Sequence, residues 1–183
     1  MDYQESPPPP PLDGWIRAFW RLRGHGLGQQ PVIPDGRMEI VIHLADCFSQ
    51  IDASGNGSAQ GEVMLAGQLT APLLLAAGSS ADVIGIRFRT AGARALLGIP
   101  LDAVRNQVIP LDAVDRSLSQ ALLAAARSSL ATIVAGLAVF FCAFNLLEAS
   151  LPSMVSRFAP RGSRGSAIGV YSGMQYLGMF AGG

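Results

Sequence analysis

Arg87 and Arg89 stand two residues apart in ADVIGIRFR, a segment whose alternation predicts a strand, so both side chains leave the same face. Two guanidiniums at that spacing could clamp a carboxylate or phosphate of a small ligand if the face lines an interior. If the face looks outward they are solvated charges, and this second reading is favoured because Ile84, Ile86 and Phe88 claim the core from the other side. A β-barrel metal site would want two histidines and a carboxylate close in sequence, with a further histidine on a later strand. Only His25 and His43 exist, one in a predicted loop and one on a predicted strand. His43, near Glu39 and Asp46, is therefore read as a satisfied core or surface histidine, and neither a metal nor any other cofactor is expected. No serine sits in a nucleophile elbow and no Cys-His pair shares a segment, so no enzyme is expected. RGSRG lacks the lysine of a phosphate-binding loop. Asn145 and Glu148 are polar groups in an otherwise apolar run, a placement often tied to transport, although Glu148 lies close enough to the end of the run to face water.

The elements that must position these residues change character along the chain. Residues 1–12 open with MDYQESPPPPPL, whose five prolines favour an extended polyproline arm, mobile or laid along a surface. Gly14–Leu22 predicts a short helix or turn entering a strand at Ala18–Arg23, and residues 24–31 a glycine- and glutamine-rich loop. Pro34-Asp35-Gly36 marks a turn. After it Met38, Ile40, Ile42 and Leu44 alternate with Glu39, Val41 and His43, a strand with one buried face. Residues 52–61 read as a loop, Glu62–Ala66 and Ala71–Ala76 as short strands, and Ala81–Arg89 as a longer one. From Ala91 the period becomes helical: Ala91–Leu97, Leu101–Asn106, and a longer helix over Asp112–Ser128 with one apolar face. Strands followed by helices predict an α+β fold.

Leu130–Leu147, LATIVAGLAVFFCAFNLL, carries no charge and no proline. As a helix it would be roughly 27 Å long, close to the hydrocarbon thickness of a bilayer. Charge is split the same way. Ten arginines face twelve acids before Leu130, whereas only Glu148, Arg157, Arg161 and Arg164 follow it. All cationic residues are arginine, and neither half has the basic excess of a nucleic-acid binder. Cys47 and Cys142 fall one in each half, so a disulfide between them is not expected. The N-terminus has no basic region leading into an apolar one, so no signal peptide is expected.

FWRLRG, then VIPDGRMEIVIHL, then VIGIRFRTAGARALLGIPLDAVRNQVIPL resembles, in that order, the N-terminal domain of one group of AraC-type transcriptional regulators. The resemblance covers residues 3–128 and implies a cupin-like β-barrel with small helices, a ligand-sensing or dimerising module. The helix-turn-helix pair of those regulators has no counterpart afterwards, so DNA binding by this chain is not expected. From Leu130, VFFCAFNLLEASLPSMVSRFAPRGSRGSAIGVYSGMQYLGMFAGG is similar to a late helical hairpin of major facilitator superfamily drug-efflux transporters. This implies a first span over Leu130–Val155 and a cytoplasmic loop carrying Arg157, Arg161 and Arg164. A second, shorter apolar stretch follows over Ser166–Gly183, with a glycine ladder at Gly165, Gly169 and Gly173.

The expected organisation is a proline-rich arm (1–12), a cupin-like ligand-sensing domain (13–128) and a membrane hairpin (130–183). The expected function is a chimeric or truncated protein without a complete activity. The alternatives are a fragment of a major facilitator transporter and a membrane-tethered small-ligand-binding module. Expected partners are membrane lipid through 130–183, a small molecule in 13–128 and a second copy of the chain. The expected location is the bacterial inner membrane with the soluble half in the cytoplasm. That topology puts the arginine loop outside, against the positive-inside bias. Residues 1–128 are expected to fold alone.

Overall fold

The structure is a computed structural model that describes residues 1–160 and 162–181. It is an α+β fold: two antiparallel sheets, short helices, then a long apolar helix. The larger sheet holds six strands. They are β1 (Asp2–Ser6), β2 (Ile16–His25), β9 (Ser80–Phe88), β4 (Glu39–His43), β7 (Val63–Ala66) and β10 (Val108–Pro110), in that spatial order. The smaller sheet runs β3 (Gln29–Val32), β8 (Leu73–Ala76), β5 (Ser49–Ile51), β6 (Gly57–Ala59). The helices are α1 (Thr90–Leu97), α2 (Arg116–Ser128), α3 (Leu130–Phe158) and α4 (Arg164–Ala181).

Both faces of the larger sheet are covered. Pleating sends Met38, Ile40 and Ile42 one way, with Ile84, Ile86, Phe88, Val63 and Leu65, into the main core under the helices. The opposite face, with Trp20, Leu22, Val41 and Val83, looks toward Leu75 of the smaller sheet and packs around Phe48.

Residues 1–12 are not a free polyproline arm. Asp2–Ser6 pairs with Phe19–Arg23 as an edge strand, and Pro10–Leu12 forms a 3-10 turn that drops Leu12 fully into the core. Edge strands have one partner, so the weak β-propensity of this stretch is overridden by a neighbour that sequence spacing does not reveal. For the same reason residues 24–31 and 52–61 hold the short strands β3 and β6 rather than plain loops. Leu101–Val104 is a 3-10 helix, and α2 starts at Arg116, where the Asp115 side chain accepts a hydrogen bond from the Leu118 amide.

The core continues past Ser128. Ser129 ends α2 and caps α3, accepting from the Thr132 amide. The first turns of α3 then bury Ile133, Leu137 and Phe141 in the same cluster as Leu12, Leu122 and Ala126. Trp15 stacks on Phe141 at 4.8 Å and meets Phe144 edge-on at 5.6 Å. Beyond Phe144 the helix is exposed, with Leu146, Leu147 and Phe158 open to the surroundings. By length and composition α3 is long and apolar enough to cross a membrane, the one such helix among the described residues.

Candidate functional site

A cavity of about 270 Å³ lies between the two sheets. Its wall is mostly apolar: Leu22, Val41, Phe48, Met64, Leu75 and Val83 project into it from β2, β4, the β4–β5 connection, β7, β8 and β9. Met1 and Tyr3 border it from the edge strand. Among the described residues Glu39 is the only charged side chain on the wall, which the amino-terminal Met1 also borders; Gln30 and Gln60 supply amides.

The polar corner is built by sheet register. Trp20 on β2 faces Gly85 on β9, and Glu39 on β4 faces Arg87 on the same strand. A Cβ on Gly85 would lie 1.8 Å from Trp20 Cε2 and 2.2 Å from Nε1, so only glycine lets the indole lie across β9. There Nε1 donates to Glu39 Oε2 at 3.1 Å. Arg87 donates through Nε to Glu39 Oε1, and through Nη1 to Glu5 on the edge strand at 3.0 Å. Asp35 lies 3.5 Å from the same guanidinium and pairs with Arg37 at 3.7 Å. Burial pushes the Glu39 carboxyl above the usual range, and Arg87 beside it only partly offsets this. Burial also works against the charge on Arg87, but Glu39 and Asp35 outweigh it and hold the guanidinium above its ordinary pKa.

His43 lies two residues beyond Val41 on the same face of β4, edge-on to Phe48 at 5.1 Å. It is 2% exposed, and neither ring nitrogen has a hydrogen-bond partner. It is thus buried but not satisfied, unlike the satisfied histidine expected. Burial holds its pKa below the ordinary value, with Glu62 acting weakly the other way.

Arg87 and Arg89 do not form a pair. Arg87 is on the inward face at the polar corner, whereas β9 ends at Phe88 and Arg89 precedes α1, its Nη2 on Asp13 at 3.1 Å. Ile84, Ile86 and Phe88 do claim a core, but it lies under the helices, which leaves the arginine side of the strand to the second interior. Asn145 and Glu148 are exposed on α3, Arg157 is exposed near its end and Arg164 opens α4; Arg161 lies outside the described residues. The transport-related pair thus stands apart from the cavity. Trp20, Glu39 and Gly85 were not singled out by sequence. Their signal was a lone glycine in an apolar strand, where a neighbouring side chain approaches the backbone.

Residues 4–110 match the family described as Domain of unknown function (DUF6597). The chain is also 53% identical over 51 residues to the inner membrane transport protein YajR of Escherichia coli K12. It is 38% identical over 64 residues to the uncharacterized transporter BU466 of Buchnera aphidicola from Acyrthosiphon pisum. These matches take in 28% and 35% of this chain, but only 11% and 16% of the transporters' own length. Among solved structures, protein NMB1881 from Neisseria meningitidis aligns with a TM-score of 0.37 and 10% identity, covering 49% of this chain and 84% of that one.

Proposed function

The chain belongs to the DUF6597 family, and from that premise we propose that its β-rich part binds a small molecule between the two sheets, as the sensor domains of AraC-type regulators would. The residues after Ser129 supply a helical hairpin of major facilitator type, joined to it as a chimera. On this reading the chain is a membrane-tethered binding module, not an enzyme, a DNA-binding protein or a transporter. Lipid contacts the exposed length of α3 and α4, and the β-rich part faces the cytoplasm of a bacterium. Self-association would run through the β-rich part, the dimerising module of the regulators it resembles.

One observation carries the binding reading: a largely apolar cavity with a single charged side chain among the described residues of its wall. Small-molecule sites combine apolar walls with a few placed polar groups in this way. The test fills the cavity. Leu75→Trp places an indole where a ligand would sit. A set of small aromatic compounds should raise the melting temperature of the full chain, and the filled variant should lose that response. Equal responses from both proteins would defeat the proposal.

A further inference from the structure

We infer that the ligand is an apolar organic cation, an amine whose charge sits against Glu39 beside the indole of Trp20. This rests on the cavity being a ligand site, and deepens that reading by naming the chemistry. Among the described residues no arginine, lysine or histidine side chain borders the cavity, and the amino terminus of Met1 is the one cationic group beside it, so an anionic ligand would meet Glu39 with little counter-charge on the wall. Each Glu39 oxygen accepts one hydrogen bond, from Arg87 or from Trp20, and a carboxylate has about four lone-pair sites. Acceptor capacity therefore remains, which a donor on the ligand can use.

The surrounding charge has the same sign. Glu5, Asp35 and Glu39 are three carboxylates gathered on Arg87, and Arg37 is the second guanidinium in the cluster. Counting side chains, with the Met1 amino terminus left aside, three carboxylates against two guanidiniums leave the cluster with an acidic excess. The aromatic rings add to this. Trp20 lies over Gly85 and borders the cavity, with the ring of Tyr3 at 6.0 Å from it and Phe48 also on the wall. A cation within about 6 Å of an indole centroid is attracted by the ring quadrupole, more strongly when desolvated. Burial that lifts the Glu39 carboxyl is a cost that a bound cation reverses.

The test titrates the full chain, held in amphipol, with three probes of similar shape: 2-phenylethylamine, 2-phenylethanol and phenylacetate. The amine should bind at least about tenfold more tightly than the alcohol, a difference of about 1.4 kcal/mol, and phenylacetate should bind least. Glu39→Gln should erase the order among the three. If that variant does not fold, Trp20→Leu serves in its place and should narrow the preference for the amine. Should the alcohol or phenylacetate bind the unaltered chain as tightly as the amine, the cationic assignment is overturned while the cavity remains a ligand site. Should none of the three bind, the cavity reading itself fails and takes this inference with it.

Discussion

At the scale of single residues, the second interior is held by groups with few substitutes. His43 is buried with both nitrogens unpartnered, so the folded chain resists its protonation. The unfolded chain takes up that proton near pH 6.5. Stability from a neutral His43 is therefore fully present above pH 6.5 and is lost as the pH falls below it, at up to about 1.4 kcal/mol per pH unit. Glu39, whose pKa burial raises, contributes with the opposite sign. The informative quantity is then the difference between wild type and His43→Leu in chemical denaturation at pH 7.5 and 5.5. The wild type should lose more stability than the variant over that interval. Arg87→Ala leaves Glu39 in place without its guanidinium and should cost about 2–3 kcal/mol, read from the shift in denaturation midpoint. Gly85→Ala drives a methyl into the Trp20 ring. It should change tryptophan emission and abolish any ligand response, whereas Gly14→Ala, where a Cβ meets open space, should do neither.

At the scale of elements, α3 has two roles along its length. Its first turns are a core helix: Ile133, Leu137 and Phe141 are each no more than 3% exposed. Phe141→Ala removes the ring that stacks on Trp15, and such truncations cost about 3–5 kcal/mol. Thermal unfolding of the β-rich part should register that loss. Phe158→Ala, at a site 83% exposed, should leave it unchanged. Much of this architecture was legible in sequence. The alternation in MEIVIHL and VIGIRF marks β4 and β9 with their faces, and the hydrophobic period after Ala91 marks α1 and α2. The edge strands were not legible, because one-sided pairing of polar residues leaves no periodic trace. Nor was the stripe shared by Ile133, Leu137 and Phe141, because in a run of uniformly apolar residues every face looks equally ready for lipid or protein. The polar corner was hidden for another reason. Trp20, Glu39 and Arg87 meet only through register, and the direction of Arg87 depends on which of two cores the sheet gives to each face.

At the scale of the whole molecule, the boundary between β-rich part and hairpin is a shared core. Cutting the chain at Ser128 would strip three buried apolar side chains from the cluster that holds Leu12 and Leu122. At about 3 kcal/mol or more each, their loss rivals the 5–15 kcal/mol that keeps a typical domain folded. Residues 1–128 should therefore aggregate or expose dye-binding surface, whereas residues 1–147 should give a cooperative melt. A well-folded 1–128 would show that α3 is dispensable to the sheet. The DUF6597 match ends at residue 110 and does not anticipate the contact across this seam.

Trp15 clasps Phe141, and that clasp sets up a contest. The stripe of Ile133, Leu137 and Phe141 can be solvated by hydrocarbon or by the protein's own core, never both at once. A cell that threads them into its bilayer during synthesis would leave Leu12 and Trp15 facing water. One that lets the nascent strands close first would keep only the distal half of the rod for the lipid. The ratio of the two products would then be set by timing, and slowing translation just before Leu130 should move it.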